Sequence, residues 1–548
     1  MTKTYRGADA LVRTLSNAGV KHIFTLSGNH IMPIFDACVD ADIELIHTRH
    51  EAATVHMADA YARLTGNVGV ALVTGGPGHA NAVSALYTAQ MAESPVVFLS
   101  GHAPNNQLGM GAFQEMRQAD VAAPLVKASS TAQSAGSLAS ELAYAIRVAR
   151  SGRPGPVHLS LPTDALEDAC SESSDGNQDK DAYAPVTQPL ETGLARAFVA
   201  RLLAAKRPLI LAGPACMTRA GRKRTDRLAA ASGIPVIGME SPRGIGDPSL
   251  GAFAEVLAQA DCVMLLGKRL DFTLKFGQAP AINKTCTFLQ IDAEPAEVSR
   301  THRAVGELLT QTAIADAFSA IDALVAACPN PSSGHEEWAR DVRTAIDYRP
   351  SHWQTATSAI DGRIHPVQAC APIQTLLDSH PDAVFISDGG EIGQWAQACL
   401  HAPDRIINGV AGAIGSALPF ALAARVARPD APIVAVMGDG TFGFHTAEID
   451  TAVRYKLPFV AVVGNDARWN AEYQIQLRDY GRERLIGCEL LPTRYDNVTA
   501  AFGGFGKLVT SASEVLPAVT EAHRSGLPAC VNIMIEGVAA PSIKRASA

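Results

Sequence analysis

The chain is long, mildly acidic and rich in apolar residues, which excludes several classes of protein. Its 548 residues are too many for one hydrophobic core, so two to four domains are expected. With 46 basic and 54 acidic residues the formal charge is −8. The sequence has no basic block of the kind that binding to nucleic acid or to a membrane surface would require. Ten scattered cysteines without a C-x-x-C pair, and the lack of a signal sequence or long apolar stretch, predict a cytoplasmic protein.

Helical and strand-like patterns alternate from residue 1 to about residue 170. The helical pattern GADALVRTLSNAGV precedes the strand-like HIFTL, and the apolar runs VGVALVT and PVVFLS have the length of buried strands. Short apolar runs separated by helices predict a parallel sheet that is covered on both faces. The polar stretch over 171–188 predicts an exposed linker.

Two further segments repeat this alternation. The second contains RPLILAGP, a helix over 219–232, IPVIGM, CVMLLGKRL and TFLQIDAEP, and the stretch 329–353 predicts the next break. The third contains AVFISDGG, APIVAVMGDG, PFVAVVGND and CVNIMI. The sequence therefore predicts an α/β fold of three doubly wound parallel-sheet domains, with bounds 1–170, 189–328 and 364–548.

Two neighbouring strands of the third segment end in oxygen-bearing side chains. One run leads into Gly438-Asp439-Gly440, and the next strand ends in Asn465-Asp466, 27 positions after Asp439. Ligands bind at the carboxyl ends of parallel strands, and a carboxylate among phosphate oxygens needs a divalent cation between them. Oxygen ligands without a Cys or His cluster favour Mg²⁺ over zinc. On the residues alone, the alternative that both acids are turn or helix-cap residues stays open.

The stretch GDGTFGFHTAEIDTAVRYKLPFVAVVGNDARW resembles the cofactor signature of thiamine diphosphate-dependent enzymes. The resemblance implies that Asp439, the side chain of Asp466 and the backbone carbonyl of Arg468 hold Mg²⁺ against the diphosphate. It also implies cofactor contacts from Gly438, Gly440 and Thr441. One position departs from the family pattern, because Asp466 stands where the family has a second asparagine. The departure keeps an oxygen ligand and adds a negative charge.

The resemblance covers nearly the whole chain. LIHTRHEAATVHMADAYARLTGNVGVALVTGGPGHANAV looks like the pyrimidine-binding domain of these enzymes. GAFQEMRQADVAAPLVKAS and LGKRLDFTLKFG look like the branch that holds acetolactate synthase, benzaldehyde lyase, oxalyl-CoA decarboxylase and 2-hydroxyacyl-CoA lyase. The resemblance implies pyrimidine-binding, middle and diphosphate-binding domains, and a homodimer or homotetramer with the cofactor at the subunit interface. It leaves FAD and ADP open for the middle domain, and the sequence assigns neither.

The family pattern also gives expected roles to residues of the cofactor site. Taken alone, Glu51 is a carboxylate at a helix N-terminus, but in RHEAA it matches the glutamate that hydrogen-bonds the aminopyrimidine ring. A carboxyl group there lets the cofactor's own imine remove its C2 proton. Ile414 matches the apolar side chain that bends the cofactor, and Gly412 would supply a carbonyl to its amino group. The loop that lines the cofactor from the other side is matched by Gly76, Pro77 and Asn81.

The substrate side of the resemblance points in two directions. His30 aligns with a benzaldehyde lyase histidine that serves proton transfer, and Gln114 matches a glutamine near the substrate. RLDFTLKFG and PTRYDNVTAAFGGFG lean toward the 2-hydroxyacyl-CoA lyases, whereas the ending EGVAAPSIKRASA leaves little for the C-terminal lid of those enzymes. A structural role for His30 at a helix start stays open.

The predicted function is a thiamine diphosphate- and Mg²⁺-dependent carbon–carbon lyase or carboligase that proceeds through a C2-carbanion/enamine. Its substrate would be a 2-hydroxy ketone, a 2-oxo acid or a 2-hydroxyacyl-CoA. The alternatives are an acetolactate synthase-like decarboxylating ligase, a 2-hydroxyacyl-CoA lyase or oxalyl-CoA decarboxylase, and a cofactor-binding protein without catalysis. The intact Glu51, Asp439 and Ile414 argue against the last of these.

Overall fold

The structure, a computed structural model, describes residues 5–171, 180–329 and 334–545. It contains three parallel sheets of six, five and six strands, which confirms the predicted fold class. Residues 172–179 of the linker predicted over 171–188 lie outside the described residues. Contacts divide the chain into two units: the first runs to Val186 and includes Leu422–Ala427 and Asp450–Tyr455, and the second holds the remainder. Within the described ranges, no helix is long and apolar enough to span a bilayer.

The first unit contains a six-stranded sheet with the strand order β2-β1-β3-β4-β6-β5. Its strands are β1 (His22–Thr25), β2 (Glu44–His47), β3 (Gly69–Val73), β4 (Val96–His102), β5 (Ser129–Thr131) and β6 (Val157–Pro162). Its helices are α1 (Gly7–Asn17), α2 (Met32–Cys38), α3 (Glu51–Thr65), α4 (Pro77–Met91), α5 (Gln118–Ala122), α6 (Leu138–Arg150) and α7 (Thr163–Glu167). Every residue of β3 and β4 is buried, as their continuous apolar sequences predict.

The middle sheet has the strand order β11-β10-β9-β7-β8. Its strands are β7 (Pro208–Ala212), β8 (Val236–Gly238), β9 (Cys262–Leu266), β10 (Thr287–Asp292) and β11 (Leu309–Ile314). Its helices are α8 (Thr192–Ala204), α9 (Arg219–Ser232), α10 (Phe253–Leu257), α11 (Pro295–Val305), α12 (Ala317–Ala327) and α13 (Glu336–Asp347). The helix predicted over 219–232 is confirmed.

The break predicted over 329–353 contains a helix that packs into a core. Residues 330–333 lie outside the described residues, but α13 follows directly after them. Trp338, Val342 and Ala345 of this helix are buried in the core of the middle sheet, and the Trp338 indole donates to the Pro208 carbonyl at 2.8 Å. Three apolar residues at helical spacing are enough to bury one face of a helix in which most of the other residues are charged.

The third sheet has the strand order β13-β12-β14-β15-β17-β16. Its strands are β12 (Val384–Asp388), β13 (Asp404–Ile407), β14 (Ile433–Gly438), β15 (Val460–Asn465), β16 (Phe505–Val509) and β17 (Ala529–Met534). The helices of this part of the chain are α14 (Pro366–Cys370), α15 (Gln374–Leu377), α16 (Gly390–Cys399), α17 (Ala417–Ala427), α18 (Asp439–Phe444), α19 (Glu448–Arg454), α20 (Asn470–Asp479), α21 (Tyr495–Ala501) and α22 (Val515–Arg524). Strand β14 pairs with β12 and β15, so the carboxyl ends of three adjacent strands meet at one edge.

The segment 537–545 ties the third sheet to the middle one within the second unit. The Trp395 indole donates to a carbonyl of this segment at 2.9 Å, and the Asn470 amide donates to another at 3.0 Å. Further along, the Arg545 guanidinium forms a 2.8 Å salt bridge with Glu255 of α10. The segment therefore contacts helices α16 and α20, which flank the carboxyl edge of the third sheet, and the middle sheet's helices as well.

Candidate functional site

Two carboxylates lie at the carboxyl edge of the third sheet. Asp439 follows β14 and is 1 % exposed, and its Oδ2 is buried without a hydrogen-bond partner among the described residues. Asp466 follows β15, and Gly438 and Gly464 are paired between these two strands. Burial raises the pKa of Asp439, and burial together with the charge of Asp439 raises the pKa of Asp466. An unpartnered buried oxygen beside a second carboxylate fits a divalent cation, which would relieve both effects.

The backbone around these carboxylates approaches its neighbours closely. A Cβ at Gly440 would lie 2.5 Å from the Trp469 ring, and one at Gly389 would lie 2.1 Å from Thr441 Oγ1. Ala467, between Asp466 and Arg468, has a φ of +58°, a conformation that L-residues rarely adopt. The glycines therefore follow from packing, and the loop that contains Ala467 holds local strain of the kind found at functional sites.

A cavity of about 290 Å³ opens beside the two carboxylates. All residues of the third segment that were predicted to bind cofactor or metal line it: Gly412, Ile414, Gly438, Asp439, Gly440, Thr441, Asp466 and Arg468. Sequence reasoning missed three other charged lining residues, Arg243, Glu391 and Glu472. With more carboxylates than guanidinium groups in its wall, the cavity fits an anionic diphosphate only together with a cation.

The residues present can supply part of a magnesium site. Within the described ranges no group of three or more His, Cys, Asp or Glu residues fits a metal ion. A cation here would therefore take two carboxylates, the Arg468 carbonyl and oxygens from a bound diphosphate, a hard ligand set that suits Mg²⁺. The Arg468 guanidinium itself lies over the Tyr473 ring, with Cζ 4.3 Å from the centroid.

Asp388 holds the loop that carries Ile414, and sequence reasoning missed it. Its Oδ2 accepts hydrogen bonds from the Gly415 amide at 3.0 Å, the Ser416 hydroxyl at 3.1 Å and the Ala417 amide at 2.9 Å. Burial raises the pKa of Asp388 to about 6 against these hydrogen bonds. The signal was present, since Asp388-Gly389-Gly390 ends a buried strand as Asp439-Gly440 does.

In the first unit, Glu51 is the first residue of α3 and is oriented by Asn81 of α4. The Asn81 amide donates to Glu51 Oε2 at 3.0 Å, and Oε1 lies 3.6 Å from where a Cβ on Gly78 would be. The missing side chain at Gly78 leaves room beside the second carboxyl oxygen. The His50 ring accepts from the Ala52 amide and fixes the start of the helix.

His30 lies in the same unit, and its imidazole ring is buried. It is 4 % exposed, its Nδ1 is 3.2 Å from Thr74 Oγ1, and its ring stacks on Phe113 with centroids 6.0 Å apart. Burial lowers the pKa of His30, and the backbone of Phe113 partly opposes this effect on the pKa. The imidazole is therefore neutral at pH 7 and able to accept a proton.

The glycine-rich loop before α4 is held by two glutamines. Gly76, which precedes Pro77, has a φ of +59°, and a Cβ on it would lie 2.8 Å from the Gln114 Cβ. The Gln118 side-chain Oε1 accepts a hydrogen bond from the Gly76 backbone amide at 2.8 Å, and the Gln118 side-chain Nε2 donates to Ser100 Oγ at 2.9 Å. Sequence reasoning found Gln114 and missed Gln118, which lies four residues later in the same stretch. The structure thus brings His30, Glu51, Gly76, Pro77, Asn81 and Gln114 into one part of this unit, and their roles remain predictions.

Comparison with protein families agrees with the fold and with the cavity. Three thiamine pyrophosphate enzyme models match the chain: the N-terminal TPP binding domain over 5–121, the central domain over 195–321 and the C-terminal TPP binding domain over 388–533. Thiamine pyrophosphate is another name for thiamine diphosphate. A fold of three parallel-sheet domains with these matches defines an enzyme that uses this cofactor, a lyase or a transferase.

The chain belongs to the thiamine pyrophosphate-dependent enzymes. It is 33 % identical to the probable acetolactate synthase of Mycobacterium bovis, over 97 % of this chain and 96 % of that protein. It is 30 % identical to the 2-hydroxyacyl-CoA lyase 2 of Caenorhabditis elegans, over 96 % of this chain and 89 % of the relative. It is also 30 % identical to the human 2-hydroxyacyl-CoA lyase 2, over 96 % and 90 %. The resemblance expected from the motifs is confirmed, and the enzyme is favoured over the non-catalytic alternative.

Proposed function

We propose that the protein is a thiamine diphosphate- and Mg²⁺-dependent carbon–carbon lyase or carboligase acting on a 2-hydroxy ketone or a 2-hydroxyacyl-CoA. The observation that carries this proposal is the buried His30 imidazole in the same unit as the Asn81–Glu51 pair. Cleavage of a 2-hydroxy carbonyl compound requires a base for the hydroxyl proton, and the reverse ligation requires an acid. A neutral imidazole serves the first role and its protonated form the second.

The metal half of the proposal rests on Asp439 and Asp466. These carboxylates and the Arg468 carbonyl would hold Mg²⁺, and the backbone at Gly438 and Gly440 would approach the diphosphate. When bound, thiamine diphosphate supplies a nucleophilic carbon and an electron sink for breaking a bond beside a carbonyl. Glu51, held by Asn81, would orient the cofactor's pyrimidine ring. Gly412 and Ile414 line the cavity of the second unit.

Three residues of the first unit have proposed roles in proton transfer and substrate binding. His30 takes the hydroxyl proton of the substrate during cleavage and returns it during ligation. Gln114, packed against Gly76, contacts the substrate, and Thr74 Oγ1 fixes the orientation of the His30 ring. The bond that breaks joins the carbonyl carbon to the carbinol carbon, and the carbinol part leaves as an aldehyde or ketone.

An acetolactate synthase-like decarboxylating ligase of a 2-oxo acid is the second candidate. The 33 % identity to a probable acetolactate synthase supports it, whereas the two 2-hydroxyacyl-CoA lyase 2 relatives support a thioester substrate. An oxalyl-CoA decarboxylase is the third reading within this group. We propose neither FAD nor ADP for the middle domain. The buried Lys268 ammonium of this domain donates a hydrogen bond to Thr273 Oγ1 at 2.7 Å.

We also propose a homodimer or homotetramer and a location in a reducing cytoplasm. The family resemblance supports the assembly, and all ten cysteines being free supports the compartment. Light scattering should give two or four times the 57.5 kDa mass of the chain. A monomeric mass for the fully active protein would contradict the proposed assembly.

The deciding experiment is a substrate screen on the protein reconstituted with thiamine diphosphate and Mg²⁺. Benzoin, acetoin, pyruvate, oxalyl-CoA and a 2-hydroxyacyl-CoA are tested for release of aldehyde or carbon dioxide, with wild type and His30→Ala in parallel. We expect cleavage of a hydroxyketone or 2-hydroxyacyl-CoA, slowed about 100-fold or more by His30→Ala at unchanged cofactor affinity. Turnover of pyruvate alone, with His30→Ala equal to wild type, would favour the acetolactate synthase-like reading instead.

A further inference from the structure

The segment between β4 and α5 forms a loop that folds around one carboxylate. Glu115 Oε1 accepts from the Gly109 amide at 2.6 Å, and Oε2 accepts from the Gly111 amide at 3.2 Å and the Ala112 amide at 3.1 Å. The Glu115 amide in turn donates to the Ala112 carbonyl at 3.0 Å. Three backbone amides that converge on one anion form charge-assisted hydrogen bonds, which are about twice as strong as neutral ones.

The two glycines of the loop are needed for this convergence. Gly109 has a φ of +80° and Gly111 a φ of +79°, and nothing lies within 4 Å of a Cβ built on either. Space is therefore not the reason for glycine at these positions. The left-handed backbone turns successive amides toward one point, as in anion-binding nests, and the anion here is a side chain of the same loop.

The residues that follow the clamp touch the site in the first unit. Phe113 stacks on the His30 ring, with ring centroids 6.0 Å apart. Gln114 packs against the bare Cα of Gly76, and it does so with a φ of +58°, a conformation that is strained for a non-glycine residue. Such a conformation persists only where the surrounding structure enforces it, and Glu115 is the next residue in the chain.

We propose that Glu115 is a positioning residue, whose carboxylate folds residues 109–112 and thereby holds Phe113 against His30 and Gln114 against Gly76. The inference rests on the roles proposed for His30 and Gln114. Glu115 does not touch the substrate or the cofactor in this scheme. It acts by fixing the two residues before it, and the hydrogen bonds that lower the pKa of Glu115 keep it ionised for this role.

The test uses the full chain and two readouts that need no substrate. Glu115→Gln and Glu115→Ala are compared with Asp120→Asn, a control that removes a nearby exposed carboxylate paired with Arg117. Hydrogen–deuterium exchange reports the amides of residues 109–112. The rate of His30 modification by diethyl pyrocarbonate, located by tandem mass spectrometry, reports how well Phe113 covers the imidazole.

We expect the Glu115 variants to lose exchange protection over 109–112 and to modify His30 about fivefold faster or more, with thiamine diphosphate affinity within about twofold of wild type. The pH midpoint of His30 modification should rise toward its ordinary 6.5, since the burial that lowers its pKa is relieved. On benzoin, kcat should fall by about 10- to 100-fold with little change in cofactor affinity. Asp120→Asn should match wild type in each readout.

Retained protection over 109–112 in Glu115→Ala would overturn the proposal, because the carboxylate would not be what folds the loop. Lost protection with unchanged His30 reactivity would overturn it as well, because the loop would not cover the imidazole. If wild type turns over none of the screened substrates and His30→Ala changes nothing, the proposed function fails. The two substrate-free readouts still decide the role of Glu115 in that case.

Discussion

Replacing Asn81 by alanine tests whether the hydrogen bond to Glu51 sets the orientation of that carboxyl group. The Asn81 side-chain amide donates a hydrogen bond to Glu51 Oε2 at 3.0 Å. A hydrogen bond to a charged group contributes about 1.5–3 kcal/mol. If the reactive arrangement needs Glu51 in this one orientation, its loss should slow proton exchange at the cofactor's C2 by about 10- to 150-fold, since about 1.4 kcal/mol corresponds to a factor of ten.

The assay follows deuterium incorporation at C2 of thiamine diphosphate bound to the protein, by acid quench and NMR, at saturating cofactor and Mg²⁺. Cofactor affinity is measured separately by calorimetry and should change much less than the exchange rate. Asn105→Ala is the matched control, because it also removes an asparagine amide of the first unit, one that contacts Asp164 rather than Glu51. Glu51→Gln should abolish exchange and sets the lower limit.

An exchange rate for Asn81→Ala within about threefold of wild type would refute the reasoning, because the hydrogen bond would then contribute less than about 0.7 kcal/mol to the reactive arrangement. Equal slowing by Asn105→Ala would also refute it, since the effect would come from general loosening of the unit. A thermal unfolding curve for each variant separates loss of the hydrogen bond from loss of the fold.

Three other substitutions probe the cavity of the second unit. Asp439→Ala should weaken thiamine diphosphate binding in a way that excess Mg²⁺ partly offsets, and calorimetry giving wild-type affinity would rule out a metal ligand at this position. Gly440→Ala should lower cofactor affinity by tenfold or more, which is about 1.4 kcal/mol or more, because its Cβ would lie 2.5 Å from the Trp469 ring; an unchanged titration would mean that the ring moves freely. Burial raises the pKa of Asp388 from 3.8 to about 6, so ionising this carboxyl group destabilises the folded state. The loss of stability is absent below about pH 4 and reaches about 3 kcal/mol above pH 6, at about 1.4 kcal/mol per pH unit. Urea unfolding should therefore show wild type losing stability relative to Asp388→Asn between these pH values, and parallel curves would contradict the shift.

The buried parts of the fold were predictable because their sequences are unambiguous. Strands such as β14 and β15 are continuous apolar runs that end in glycine and an oxygen-bearing residue, so both their burial and the position of Asp439 and Asp466 at one sheet edge follow from pattern alone. Edge strands carry no such signal. Ser129–Thr131 is a three-residue polar strand paired on one side only, and periodicity cannot distinguish it from a loop.

The candidate site was predictable where one short motif carries it and not where distant segments meet. Asp388 shares the strand-end pattern of Asp439, but Arg243 comes from the middle sheet and Glu391 from the first turn of α16, and only the folded chain brings them to one cavity. The domain bounds 1–170, 189–328 and 364–548 remain predictions, and α13 at 336–347 indicates that the middle core extends beyond residue 328. A charged helix with three buried residues looks like a linker when its partners are unknown.

Because of the contacts made by the segment 537–545, cleavage near the C-terminus would affect residues far along the chain from the cut. Proteolytic cleavage at residue 536 would release the carbonyls that Trp395 and Asn470 hold, and it would break the salt bridge of Arg545 with Glu255 at the same time. The side chain of Asp466 would be uncovered too, since a Cβ on Gly537 would lie 3.2 Å from its Oδ2. A cut outside the sequence motifs would thus alter the wall of the cavity, and cofactor retention after limited digestion would measure this change.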